Sequence, residues 1–152
     1  MRALSNFEID NVLKRDHVTK NLYLGAFPAC EIPKSRKKRY FFITNTDLHD
    51  KPGTHWTAWM VDGDKVDFFD SFGRSPNNEQ FPYEFQDYIL GKRVSFSSFR
   101  VQQYTSSTCG YFCMYYIYFR SLDLDFEYII KQLKNLKEND CIVTSFVNTL
   151  LD

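Results

Sequence analysis

The sequence has no excess of either charge. Its 19 Lys and Arg are matched by 19 Asp and Glu, a formal net charge of +0. This excludes a protein that grips nucleic acid along its surface by neutralising phosphates; any such contact is expected to be local. A long apolar run is also missing. Nothing approaches the roughly 18 residues of a membrane span, so no membrane contact is expected. The stretch Met1–Asp16 carries acids early and has no extended apolar core of the kind a secretory signal needs. Cysteine is scarce, four in 152 residues. With no secretion signal, Cys30, Cys109, Cys113 and Cys141 are expected to be reduced thiols. Internal repeats and low-complexity segments are lacking too. The expectation is a single domain over residues 1–152, a monomer inside a cell, in cytoplasm or nucleus.

What the sequence does have is aromatic side chains: 15 Phe, 10 Tyr and 2 Trp, 18% of the chain. Such content excludes intrinsic disorder, and a chain of this length can bury a core without staples. Ser5 and Glu8 have the spacing of a capping box, and Leu4 with Ile9 that of a hydrophobic staple, predicting a helix to about Arg15. Asn21 to Pro28 reads as a loop. Lys34–Arg39 sets five basic residues in six, a solvated loop, a nuclear address or a patch for an acidic partner. Tyr40–Thr44 reads as a buried strand. Phe81–Leu90 reads as a helix stopped by Gly91, and Val94–Val101 as a strand. Cys109–Phe119 is apolar nearly all round, the pattern of a buried helix. Two amphipathic helices, Phe126–Leu136 and one from about Asp140, close the chain.

Asp62-Gly63 lies between two strand-like runs, Thr54–Val61 and Asp64–Asp70. This is the signal of a hairpin with a two-residue turn. With Asp62 and Gly63 as central residues, Val61 faces Asp64, Ala58 faces Asp67 and His55 faces Asp70. Turn chemistry thus predicts a histidine and a carboxylate as neighbours on one face of a sheet. Cys109 follows Thr105-Ser106-Ser107-Thr108, a run of capping residues, and so sits at a helix start. The free N–H groups there favour an anion, and hence a thiolate nucleophile. A cysteine nucleophile needs a base, and the base an orienting group; His55 and Asp70 fit those roles. Acyl transfer also needs a donor for the developing oxyanion, which Gln102 or Gln103 can supply. A zinc site would need a second closely spaced Cys or His pair beside Cys109 and Cys113. None occurs, and no metal is expected. A Cys-based phosphatase would need an arginine just after Cys109, where the chain reads Gly-Tyr-Phe-Cys-Met-Tyr. His17 and His49 are expected on the surface.

Taken in order, three segments resemble the adenovirus protease (adenain) family: Gly53-Thr54-His55-Trp56, Phe69-Asp70-Ser71-Phe72-Gly73, and Gln102 to Cys113. In appearance they are similar to the adenain-like proteases of viruses and virus-like DNA transposons. The resemblance runs from about Leu4 to the end of the chain. It implies an α+β fold, the papain-like cysteine protease fold in its adenain or ubiquitin-like-protein protease form. The sheet would be small, mixed or antiparallel, with a buried nucleophile helix. The resemblance assigns Cys109 as nucleophile, His55 as base and Asp70 as acid, with Asp where adenain has Glu. Gln102, seven positions before Cys109, has the adenain spacing for the oxyanion glutamine. Gln103, six before, has that of the ubiquitin-like-protein proteases. Trp56 and Gly110 are expected to contact substrate, and Trp56, Phe69, Phe72 and Tyr111 to exclude water.

The implied activity is cleavage of peptide bonds near glycine in structural precursors during virion maturation, with packaging in the virion. Adenain is activated by a disulfide-linked peptide and by DNA. No cysteine lies between Cys30 and Cys109 to take such a peptide, and the balanced charge argues against DNA, so no cofactor is expected. Rival readings are a protease of ubiquitin or a ubiquitin-like modifier, an acetyltransferase with the same triad, and an inactive binding module.

Overall fold

The computed structural model describes residues 3–46, 55–133 and 135–151; His49, Gly53 and Thr54 lie outside the described residues. Helix α1 (Asn6–Leu13) starts where the capping box predicts. Ser5 Oγ accepts the Glu8 N–H at 3.2 Å, and Glu8 Oε1 accepts the Ser5 N–H at 3.1 Å. Leu4 and Ile9 both join the core. Ser5→Ala is expected to cost about 1 kcal/mol, read as a lower urea midpoint at unchanged slope. An unmoved midpoint would mean that the cap carries no load.

Five strands make one mixed sheet in spatial order β1 to β5: β1 (Tyr23–Phe27), β2 (Arg39–Asn45), β3 (Trp56–Asp62), β4 (Lys65–Phe69) and β5 (Arg93–Phe96). The outer pairs are parallel and the inner pairs antiparallel. Strand β1 corrects the loop expected there. A carboxylate of α1 holds it: Asp10 Oδ1 accepts from Tyr23 Oη at 2.8 Å and from the Ala26 N–H at 3.0 Å. Strand β5 is shorter than expected, because the chain leaves the sheet after Phe96.

Side chains alternate along the central strands into two cores, since successive residues point to opposite faces. Phe41, Ile43, Ala58, Met60 and Phe69 face helix α3 (Cys109–Ser121). Tyr40, Phe42, Trp59, Val61, Val66 and Phe68 face helix α2 (Tyr83–Tyr88) with its flanking Phe81 and Ile89. Both faces are covered, so the central strands read as continuous apolar runs rather than alternating ones. Much of the aromatic content is this core: Trp59 meets Phe42, Phe68, Phe85 and Tyr88 at centroid distances of 4.6–5.6 Å. Among the described residues, no helix is long and apolar enough to cross a membrane.

The β3–β4 register corrects the expected one by two positions. Asp62 pairs with Lys65, Val61 with Val66 and Ala58 with Phe69. The turn residues are therefore Gly63 and Asp64. Only Gly63 has a positive φ, 62°, the pattern of a turn with glycine first. The cause lies outside the hairpin. Arg39 of β2 pairs with Asp62, and the Gly63 N–H donates to Lys38 O at 2.9 Å. These bonds keep β3 extended through Asp62. A slip of two preserves the face of every side chain, where a slip of one would reverse it.

Helix α3 is buried almost throughout, as its composition predicts. Helix α4 (Phe126–Gln132) is shorter than expected, and helix α5 (Leu136–Leu151) starts four residues before Asp140. Asp140 thus lies inside the helix rather than at its start. Its carboxylate instead takes the Thr108 hydroxyl at 2.6 Å and the Gln103 N–H at 3.2 Å. This bond ties α5 to the residue preceding Cys109.

Candidate active site

Three elements begin or end at one end of the central strands. His55 immediately precedes β3, Asp70 immediately follows β4, and Cys109 opens α3, which packs across β3. The hairpin brings the first two together, because the start of β3 lies beside the end of β4. In the observed register Asp70 is the diagonal neighbour of His55, on the same face. His55 Nε2 meets Asp70 Oδ1 at 2.5 Å. Cys109 is the other side chain that interacts with this imidazole; with Nε2 held by Asp70, Nδ1 is the nitrogen left to face it. All three residues are nearly withdrawn from solvent, at 8%, 2% and 6% exposure for His55, Asp70 and Cys109.

Burial alone would strip the proton from His55. The hydrogen bond to Asp70 and the interaction with Cys109, with the charges of both, outweigh it and raise the imidazole to about 9. Burial would likewise push the Asp70 carboxyl up, but its bonds to His55 and Arg74 hold it below the usual range. Cys113, one turn further into the helix, is pushed well up by complete burial and by the neighbouring Cys109. It stays a thiol while Cys109 lies against a charged imidazole. The Trp56 N–H also points at Cys109 Sγ, at 3.4 Å.

The two glutamines part company. Gln102 is 1% exposed and its Oε1 accepts from the hydroxyl of Ser71, the residue after Asp70, at 2.5 Å. Its Nε2 donates to Ser106 O and meets Ser106 Oγ, both at 3.0 Å. Gln103 turns away, with Nε2 directed at the Leu136 and Lys137 carbonyls at the start of α5. Gln102 is therefore the glutamine seated beside Asp70 and Ser71.

Trp56 and Gly110 are the residues expected to contact substrate. Both are buried, and the Trp56 indole donates to Leu4 O at 3.0 Å. A Cβ on Gly110 would meet Trp56, Ile9 and Leu4 at 3.3–3.4 Å. The segment entering α1 covers them: the Trp56 indole packs under it, and the bare Gly110 backbone lets Leu4 and Ile9 approach α3. Phe69 stacks on Tyr116 at 5.0 Å and belongs to the core, as does Tyr111. Phe72 is the aromatic at the site: its ring stacks on His55 at 4.9 Å and Tyr104 stacks on it in turn at 5.7 Å. Tyr104 is exposed, with the Arg100 guanidinium 3.7 Å from its ring centre.

Sequence reading missed Arg74, Ser71, Ser106 and Asp140. Arg74 had one signal, the Asp-x-x-Gly spelling of a tight turn. The Gly73 N–H closes it onto Asp70 O at 2.8 Å, returning the next residue towards Asp70. Of the other ionisable groups, His17 is exposed, as expected. Lys34, Lys37 and Lys38 line a groove with Lys92, but Glu84 and Asp87 line it too. Among the described residues, no three His, Cys, Asp or Glu side chains gather as metal ligands.

Known proteins resemble the chain in two respects. Over 133 residues it is 29% identical to a protease of Bovine adenovirus 4, covering 78% of this chain and 65% of that protein. Its fold matches the crystal structure of the ASFV pS273R protease with a TM-score of 0.63 at 20% identity, over 93% of this chain and 66% of that one. The selenomethionine form of the same protease gives 0.64. The chain thus spans about two thirds of the length of either protein. No family model matches it. In sequence the chain is similar to an adenovirus protease, and in fold to the ASFV pS273R protease.

Proposed function

We propose that the chain is a cysteine peptidase in which Cys109, His55 and Asp70 form the catalytic triad. The observation that carries this reading is the His55 imidazole. It is hydrogen-bonded to Asp70 and interacts with Cys109, which opens a buried helix. In this mechanism the Cys109 thiol gives its proton to His55, whose environment favours the imidazolium. The thiolate attacks the scissile carbonyl carbon and forms the tetrahedral intermediate. His55 returns the proton to the leaving amine as the C–N bond breaks, which leaves an acyl-thioester on Cys109. Water, deprotonated by His55, then hydrolyses the thioester and restores the thiol.

The oxyanion is assigned to the Cys109 N–H and Gln102 Nε2. An amide nitrogen carries two protons, and Ser106 draws on Gln102 through both its oxygens. Its hydroxyl has other partners, Gln103 O at 3.0 Å and Thr108 Oγ1 at 2.9 Å. It can therefore release one Gln102 proton to the substrate. The substrates we assign are protein precursors cut beside glycine in a viral or virus-like particle. Likeness to the adenovirus protease supports this, and no cofactor enters the mechanism.

Thiol alkylation tests the nucleophile without a known substrate. Cys30 and Cys141 are exposed and Cys113 is fully buried. Exposure alone would make Cys30 or Cys141 react first. With iodoacetamide at neutral pH, peptide mapping is expected to show Cys109 modified at least about tenfold faster than either, because it lies beside the imidazolium. Faster modification of Cys30, Cys141 or Cys113 would refute the assignment. A peptide carrying a C-terminal vinyl sulfone after Gly-Gly should add once, at Cys109; the same probe on ubiquitin would react instead if a modifier is the substrate.

A further inference from the structure

We propose that Arg74 is a positioning residue of this site: it locks the Asp70 carboxylate in the orientation that holds His55 and supplies the positive charge that balances it. The inference rests on the peptidase reading but is carried by separate geometry. Three donors of this one residue face Asp70. The Arg74 N–H and Nε reach Oδ2 at 3.0 and 2.8 Å, and Nη2 stands 3.5 Å from Oδ1. Oδ2 is thus held by Arg74, while Oδ1 is held by His55 with a longer reach from Arg74 Nη2. A carboxylate held at both oxygens cannot rotate, so the imidazole it orients keeps its tautomer and its plane.

Arg74 is itself fixed. Its guanidinium lies 4.4 Å from the Phe81 ring centre and 5.6 Å from that of Phe72, and Nη1 donates to Gln80 Oε1 at 3.1 Å. Phe72 in turn stacks on His55. The arginine therefore supports the imidazole by two routes, through the carboxylate and through the ring.

Charge gives the second part of the argument. The Asp70 side chain is fully buried and that of Arg74 is 24% exposed. Around them face His55 from the start of β3 and Cys109 and Cys113 from α3, with Cys113 held neutral by burial. In the thiolate–imidazolium state charges alternate along Cys109, His55, Asp70 and Arg74, and the buried set sums to zero. Without Arg74 the set would carry one uncompensated negative charge. Arg74 Nη2 and His55 Nε2 both reach Asp70 Oδ1, so the guanidinium also repels the imidazolium and its two effects oppose each other. Loss of its fork loosens the geometry, while loss of its charge makes His55 hold its proton more firmly.

That opposition makes the test specific. The His55 ring signal is followed by NMR against pH, identified among three histidines by its absence in His55→Gln. In Arg74→Met the midpoint is expected to rise by about half to one pH unit. In Arg74→Lys, which keeps the charge and loses the fork, it should stay where it is in the wild type. Both variants are expected to lose at least about tenfold in kcat with KM little changed, since only orientation is damaged. An unmoved midpoint in Arg74→Met, or wild-type kcat in Arg74→Lys, overturns the proposal. If Arg74→Met fails to fold, Arg74→Lys decides alone, by its kcat and midpoint together. Failure of the peptidase reading would look different: Cys109→Ala would cleave as fast as wild type while the His55 titration still responded to Arg74.

Discussion

His55→Gln is expected to cleave a peptide substrate about 10³ to 10⁴-fold more slowly than the wild type in kcat/KM. Glutamine fills similar space and can still bond Asp70, but it cannot take the Cys109 proton or return it to the leaving amine. The fold should survive, because Asp70 keeps its bonds to Arg74. A variant within about tenfold of wild type would remove His55 from the mechanism. Wild-type activity should fall on the alkaline side near pH 9, where the imidazole loses the proton it must donate. Stability follows the same group. Its folded value, about 9, lies above the ordinary 6.5, so the native state binds the proton more tightly than the unfolded chain does. This contribution, about 3 kcal/mol at most, is complete below pH 6.5 and is lost as pH rises through 9. Urea unfolding at pH 6, 7.5 and 9 should show the decline in the wild type and much less of it in His55→Gln.

Gly73→Ala is expected to destabilise the protein by about 3 kcal/mol or more, a large share of the 5–15 kcal/mol typical of a domain. Two costs add. Gly73 has φ +74°, where a side chain costs roughly 1–2 kcal/mol. A Cβ there would also stand 2.6 and 2.7 Å from the Phe99 carbonyl carbon and oxygen and 2.8 Å from Arg100 N. All three are backbone atoms and cannot swing aside, so one chain segment must move. Both segments serve the site, one leading into Arg74 and the other into Gln102. Loss of cleavage activity should therefore accompany the fall in the urea midpoint. Gly63→Ala is the control. Its φ is +62°, but its nearest neighbour is the flexible Lys38 Cε at 3.8 Å. It should lose only the conformational cost and keep full activity. Equal losses in the two variants would show that the contact with Phe99 and Arg100 does not matter.

The parts of the fold legible in the sequence are those settled by near neighbours. The Ser5–Glu8 box closes within one helical turn. The burial of α3 follows from a segment with no polar face. The Asp-Gly pair announces the hairpin, and residue parity along its strands puts His55 and Asp70 on one face. A wrong pairing did not spoil that inference, because it was wrong by two positions. β2 moved the turn, and no local signal in the hairpin carries what β2 will do. Trp56 shows the same limit. Beside His55 it reads as a groove wall, yet the chain entering α1 covers it, and that chain lies more than 40 positions away.

For the candidate site, the sequence by itself determined the chemical inventory and its order: a histidine, an acid, a pair of glutamines and a cysteine at a helix start. Residue type and short spacing carry that much, since a thiol, an imidazole and a carboxylate have few other joint uses. Only the tertiary structure decided how these groups are held. Through contacts between distant segments it seated Gln102 beside Ser71, turned Gln103 to α5, tied Thr108 to Asp140 and folded Arg74 onto Asp70. The physical reason is range. A turn or a helix start is fixed by forces acting over a few residues, whereas a buried charge takes whichever partner the packed chain brings to it.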